Sequence, residues 1–209
     1  MAEMSMNKAI HGAIRRDLTR FVTALETFPP GDTGRSQQLG RAWENFDDLL
    51  THHHEGEHRI AWPALQKVGV DPGLLTAMDA EHDVMAAALA DARDAVGALT
   101  RSPGEAEAAT ALAAIRTLQE VTVAHLDHEE AEIEPVYLAK RDAPEIKAMG
   151  KQFAKVSPAL GGRFFAWLLD GASPEERAAV TGEVPGPVLT VLTTVFGRGY
   201  RKNVASVWR

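Results

Sequence analysis

The chain has 209 residues, 45% of them apolar and 24% charged, with no Cys and a formal charge of −7. That length supports one domain with an appendage and a core that needs no disulfide staples. The lack of Cys excludes disulfides, thiolate zinc sites, Cys-ligated iron–sulfur clusters and Cys nucleophiles, and the acidic balance argues against a nucleic-acid binder. No apolar run approaches the length of a spanning helix, and the segment MAEMSMNKAIHGAIRRDL lacks a signal-peptide core, so a cytoplasmic protein is expected.

Pro and Gly clusters at 29–34, 69–73 and 100–105 separate long segments rich in Ala, Leu, Glu and Arg, which favour helix. Asp71-Pro72, Ser102-Pro103, Ser157-Pro158 and Ser173-Pro174 each read as a cap followed by Pro in the first helical turn. Glu105 and Glu176 add capping boxes to two of them. No strand-like alternation is present, so the fold class is all-α. Long helices are expected at 5–28, 36–67, 72–100 and 104–139, and shorter ones near 144–155, 158–169, 174–181 and 187–206. Short links between long helices predict an up-down-up-down four-helix bundle over 1–140, with 141–209 a helical extension packed on it. The charge is split the same way: 1–140 holds 12 Lys and Arg against 23 Asp and Glu, a balance of −11, and 141–209 holds 10 against 6, a balance of +4.

Each long helix carries an inward stripe at helical spacing. The first runs His11, Ile14, Leu18, Phe21, Leu25, Phe28 and the second Leu39, Trp43, Phe46, Leu50, His53, Glu57, Ile60, Ala64. The third runs Leu75, Met78, His82, Met85, Leu89, Ala92, Val96, Leu99, and the fourth Ala111, Ile115, Leu118, Thr122, His125, Glu129, Ile133, Val136. Polar residues thus stand at positions that should be apolar. His11 and His82 come early in their helices, while His53, Glu57, His125 and Glu129 come late. Antiparallel packing brings all six to one level of the core, where burial without partners is costly and a metal centre supplies the partner. His53/Glu57 and His125/Glu129 are both i, i+4 pairs sharing a face, and Pro63 and Pro135 each follow six residues after the carboxylate, an internal repeat.

Four His and two carboxylates exceed one tetrahedral zinc and suit a pair of first-row metals, non-haem iron first. The ferritin-like E-x-x-H spacing occurs only once in these helices, as Glu55 to His58. HGAIRRDL around His11, HHEGEHRIAWP from His53, EHDVM around His82 and HLDHEEAEIEP from His125 together resemble the hemerythrin-like (HHE cation-binding) family over 5–140. The resemblance implies an oxygen-bridged di-iron centre in a four-helix bundle, with His11 and His53 on one iron, His82 and His125 on the other, and Glu57 and Glu129 bridging. It implies O2, H2O2 or NO as small ligands, in oxidative or nitrosative stress handling or in oxygen or iron sensing; a peroxide- or NO-reactive, catalase-like enzyme and a non-catalytic sensor both stay open. O2 carriers of this family have a second His four residues after the third-helix ligand; here that position is Ala86. His54, Glu81 or solvent would substitute, and Glu130 rivals Glu129 as the second bridge.

His54-Glu55-Gly56-Glu57-His58 also matches H-E-x-x-H, the zinc metalloprotease pattern. Against it, the positions of a metzincin continuation are Ala61 and Ala64, Pro63 interrupts the helix, and no edge strand is expected. His52, His54, His58 and His128 otherwise read as surface or supporting histidines. In the extension, Phe164, Phe165, Trp167, Phe196, Tyr200 and Trp208 are expected to bury against the bundle, with a homodimer surface as the other use; Arg198, Arg201 and Lys202 beside Trp208 form a basic cluster suited to a membrane surface.

Overall fold

The computed structural model describes residues 4–209, and no strand occurs among them. Four long helices, α1 (Met6–Glu26), α2 (Thr33–Gly56), α4 (Pro72–Arg101) and α5 (Glu105–Glu132), form the bundle. Cross-helix pairs show that neighbours run antiparallel. Along α1, Asn7, Arg15 and Glu26 meet Glu129, Asp127 and Arg116 of α5 in descending order. Asp47 and His54 of α2 meet Arg93 and His82 of α4, and Phe21 and His11 of α1 meet Trp43 and His53 of α2.

Helix starts follow local chemistry. Ser5, Asp32, Asp71 and Ser157 each accept a hydrogen bond from the backbone N–H three residues on, satisfying a donor the helix leaves free. Ser173 and Glu176 close a full capping box. The box expected at Ser102 does not form: Ser102 ends α4, and α5 starts behind Gly104. Pro103 lies in the link, where its carbonyl accepts from Gly31 N at 2.6 Å.

Two of the long helices differ from the uninterrupted runs expected. α2 opens into a wide π turn over Glu57–Ala61 before continuing as α3 (Trp62–Lys67), and α5 breaks at Ile133 ahead of α6 (Glu134–Lys140). Each interruption precedes a proline, Pro63 or Pro135. A proline has no N–H to donate, and its ring clashes with the carbonyl four residues back; a widened turn or a break removes the clash. In the π turn Trp62 N–H reaches Glu57 O, and Trp62 and Ala61 turn inward while Ile60 stays half-buried.

The core has two parts. The larger is built by Ile14, Leu18, Phe21, Phe46, Leu50, Leu99, Ile115 and Leu118 with their neighbours. The smaller, around Trp62, Leu65, Met78, Ile133 and Ile146, lies at the other end of the bundle. Between them sits a buried polar layer that includes His11, Glu57, His82, His125 and Glu129.

After α6 come α7 (Pro144–Phe153), α8 (Pro158–Leu168), α9 (Pro174–Glu183), α10 (Gly186–Val191), a second π turn (Leu192–Phe196) and α11 (Arg198–Asn203). They are not a separate core: Trp167, Leu168, Val180, Tyr200 and Val207 belong to the main bundle cluster. A buried carboxylate fastens them. Asp17 of α1 accepts from Trp167 Nε1 at 2.7 Å and from Arg16 and Arg20 at 3.1 Å each, and Tyr200 donates to Asp170, which also takes Arg20. The run expected over 187–206 is divided, and α8 and the second π turn meet at glycine distance: a Cβ on Gly162 would lie 2.2 Å from that of Phe196, and one on Gly197 2.6 Å from that of Ala166. Trp167 and Tyr200 are buried, Phe164, Phe165 and Trp208 pack half-buried on the main core with Trp208 edge-on to Phe21, and Phe196 stays 42% exposed.

Candidate metal centre

The polar layer resolves into two sets of ligand atoms, each within 4.8 Å of one another. One set is His11, His53, Glu57 and Glu129; the other is His54, Glu57, His82 and His125. Glu57 belongs to both. It stands at the first position of the π turn, so Pro63 shapes the backbone at the residue the two sets share.

The distances are those of donors facing a common point. His11 Nε2 lies 3.2 Å from Glu129 Oε2, His53 Nε2 3.1 Å from Glu57 Oε1, and His82 Nε2 3.4 Å from Glu57 Oε2. His82 Nε2 and His125 Nε2 are 3.0 Å apart, and His54 stacks on His82 at 4.3 Å between ring centroids. Several of these atoms are buried without a hydrogen-bond partner: Nε2 of His53 and His54, both carboxylate oxygens of Glu57, and Glu129 Oε2. Each such group costs about 1–3 kcal/mol if left unsatisfied. Nitrogen and carboxylate donors with free inward lone pairs fit divalent first-row cations.

Protonation follows the same geometry. Burial pushes the Glu57 carboxyl well above the usual carboxylate range, and the neighbouring Glu129 pushes it further. Burial also drives His53 and His54 well below the ordinary imidazole range and His82 down to about 4, so all three present neutral nitrogens near pH 7. At His11 burial opposes the charged form, but the Glu129 and Glu130 carboxylates outweigh it and raise the pKa. A cation among these groups would bring the Glu57 carboxylate back to its charged form.

The outer ring nitrogens are held from behind. His11 Nδ1 lies 3.1 Å from Glu130 Oε1, and Arg15 donates to the same oxygen at 2.6 Å. Burial alone would raise Glu130, but His11 and Arg15 hold it down to about 2. His125 Nδ1 lies 2.8 Å from Glu81 Oε2, and His128 takes the other oxygen at 2.7 Å. A carboxylate that accepts from Nδ1–H favours the tautomer with Nε2 as the inward lone pair. Asn7 donates to Glu129 Oε1 at 3.0 Å. Trp62 Nε1 donates to Asp79 at 2.8 Å, and the Trp62 ring stacks 5.9 Å from His82.

Of the residues singled out from sequence, His11, His53, Glu57, His82, His125 and Glu129 thus face one another. Among the three candidate further ligands, His54 joins the second set, whereas Glu81 and Glu130 stand behind His125 and His11. The H-E-x-x-H pair separates: His54 turns inward, while His58 is exposed and faces Asp79, and Glu55 is exposed beside Arg59. His52 is exposed on Asp48. Asn7, Asp79 and Trp62 carried no sequence signal as supports, since only the fold brings them to the layer.

An open cleft of about 580 Å³ lies between α2 and α4, lined by Leu50, His54, His82, Met85, Ala86 and Leu89 among others. Ala86, one turn beyond His82, makes part of its wall, and the cleft reaches the second donor set from solvent.

No curated protein and no solved structure matches the chain. The family model described as the hemerythrin HHE cation binding domain matches residues 5–137, the stretch that carries every residue of both donor sets. The chain therefore belongs to the hemerythrin HHE cation-binding family.

Proposed function

We propose that the two donor sets hold a pair of iron ions that react with a small oxidant, O2, H2O2 or NO, entering by the Ala86 cleft. The observation carrying this reading is the sharing of Glu57 between two buried four-donor sets. When bound, such a metal pair supplies one- and two-electron redox chemistry, and the protein supplies position and polarity. His11, His53 and Glu129 would serve one ion and His54, His82 and His125 the other, with Glu57 spanning both. Glu130 and Glu81 fix the orientation of two imidazoles, and the cores on either side restrict bulk water. In this reading His54 takes the place of the second third-helix His, and Ala86 leaves room for a diatomic molecule or peroxide where that His would stand. The direct test loads the protein with Fe(II) without air and follows its absorption on mixing with O2, H2O2 or NO. Rapid oxidation, with Ala86→Leu slowing the H2O2 reaction about tenfold (about 1.4 kcal/mol of barrier) at unchanged metal content, supports it. Iron-loaded protein inert to all three contradicts it.

A sensor is the second reading, favoured by one contact. Phe153 of α7 lies against Gly56, so close that a Cβ there would sit 2.8 Å from its ring. The next residue is Glu57, and α7 is therefore placed to report a change at the shared ligand. Stoichiometric consumption of H2O2, rather than turnover, selects the sensor.

A further inference from the structure

The extension has a charge pattern unlike the rest of the chain. Residues 146–169 and 184–209 together hold eight Lys and Arg and no Asp or Glu. The fold puts these two segments side by side: a Cβ on Gly161 would touch both Val156 at 3.6 Å and Leu192 at 3.8 Å. Along the surface so formed, Val188, Val191 and Val195 recur at helical spacing with exposures of 49%, 51% and 61%, and Val156 and Phe196 continue it at 48% and 42%. Lys155, Arg198 and Lys202 are exposed around it and make no ion pair among the described residues. No single helix among the described residues is long and apolar enough to cross a membrane, and α9 with the α10 segment, apolar enough as a sum, is bent by 112°.

We infer that this face docks on an anionic lipid surface, the valines and Phe196 entering the acyl boundary and the flanking cations meeting the headgroups. Short aliphatic side chains bordered by long basic ones suit a fluid surface, which needs no shaped pocket. The missing acidic residues remove the repulsion that the bundle, at −11 over 1–140, would otherwise present to such a surface. The inference is independent of the metal chemistry, because none of the donor residues lies on this face.

The test is sedimentation of the full chain with phosphatidylcholine vesicles, with and without about one-third phosphatidylglycerol. Binding is expected to the anionic vesicles alone, falling about fivefold for Lys202→Glu and at least about tenfold for Val191→Asp/Val195→Asp. Circular dichroism and metal content are expected to stay unchanged in both variants. Absent binding to anionic vesicles overturns the inference, as does equal binding of the double-Asp variant. A dimer in light scattering that Val191→Asp/Val195→Asp makes monomeric, without vesicle binding, overturns it in favour of a second copy of this chain. Equal retention by a soluble acidic polypeptide overturns it in favour of an acidic protein partner.

Discussion

Glu57 and Glu129 are both buried carboxylates, yet their environments differ. Glu129 is kept below the ordinary carboxylate range against its burial by His11, whereas Glu57 is raised by its burial and by the neighbouring Glu129. Glu57 serves both donor sets and Glu129 one. Glu57→Ala is therefore expected to remove most of the bound metal, and Glu129→Ala about half, with helix content kept in both because Phe46, Leu50, Ile115 and Leu118 still build the main core. Plasma emission analysis of the purified variants checks the ratio; full metal in Glu57→Ala would dismiss the shared-ligand reading. The histidines set the acid stability of the metal-free protein. His82 falls from 6.5 to about 4, with His53 and His54 lowered in the same sense. Above 6.5 both folded and unfolded chains hold these rings neutral and nothing is lost. As pH falls below 6.5 the unfolded chain takes up protons first, and His82 alone costs about 3 kcal/mol by pH 4. Raised His11 and raised Glu57 act in the opposite sense. With three lowered imidazoles against these two groups, the urea midpoint of metal-free protein is expected to drop between pH 7 and pH 5; a rise over that interval would mean that His11 and Glu57 outweigh them.

At the scale of elements, the helical stripes and their polar positions were legible because period and burial obey the same geometry. Ile14, Phe21, Phe46, Met78, Ile115 and Leu118 all face inward as their spacing demands. What local pattern could not supply was how the chain would accommodate each proline. Pro63 and Pro135 stand at equal distances from their ligand pairs, yet one gives a π turn and the other a break. The two sites differ in their tertiary neighbours: after the π turn, Trp62 donates to Asp79 of α4. His54 was legible as a substitute ligand only beside Glu81 and solvent; in the fold it turns inward and stacks against His82 of α4. Asp17 reads as an ordinary helical aspartate in sequence, but the fold makes it the latch for α8. Asp17→Ala leaves the Trp167 indole without its acceptor and takes one acceptor each from Arg16 and Arg20. A loss of about 3 kcal/mol is expected for breaking such a buried charged contact, and thermal unfolding measures it. A change below about 0.5 kcal/mol, typical of surface substitutions, would mean that apolar packing alone seats α8.

For the whole molecule, the extension and the bundle share one main core. Cutting the chain after Lys140 would expose the side of α1 that Trp167 and Tyr200 cover and would remove α7 from beside Gly56. The shortened chain is expected to bind 8-anilinonaphthalene-1-sulfonate and aggregate; a monomeric, cooperatively folding fragment would show that the extension is dispensable. The polar layer has a comparable role between the two apolar clusters, where it places buried ligand atoms, several of them without a hydrogen-bond partner. A cation held there would stabilise the fold, since whatever binds the folded chain alone stabilises it. The most direct measurement is therefore the metal content of protein expressed in iron-replete medium, determined together with its thermal midpoint before and after chelation. The account predicts about two irons per chain, one for each donor set sharing Glu57, and a lower midpoint once they are removed. A single zinc per chain, or no metal and an unchanged midpoint, would contradict it.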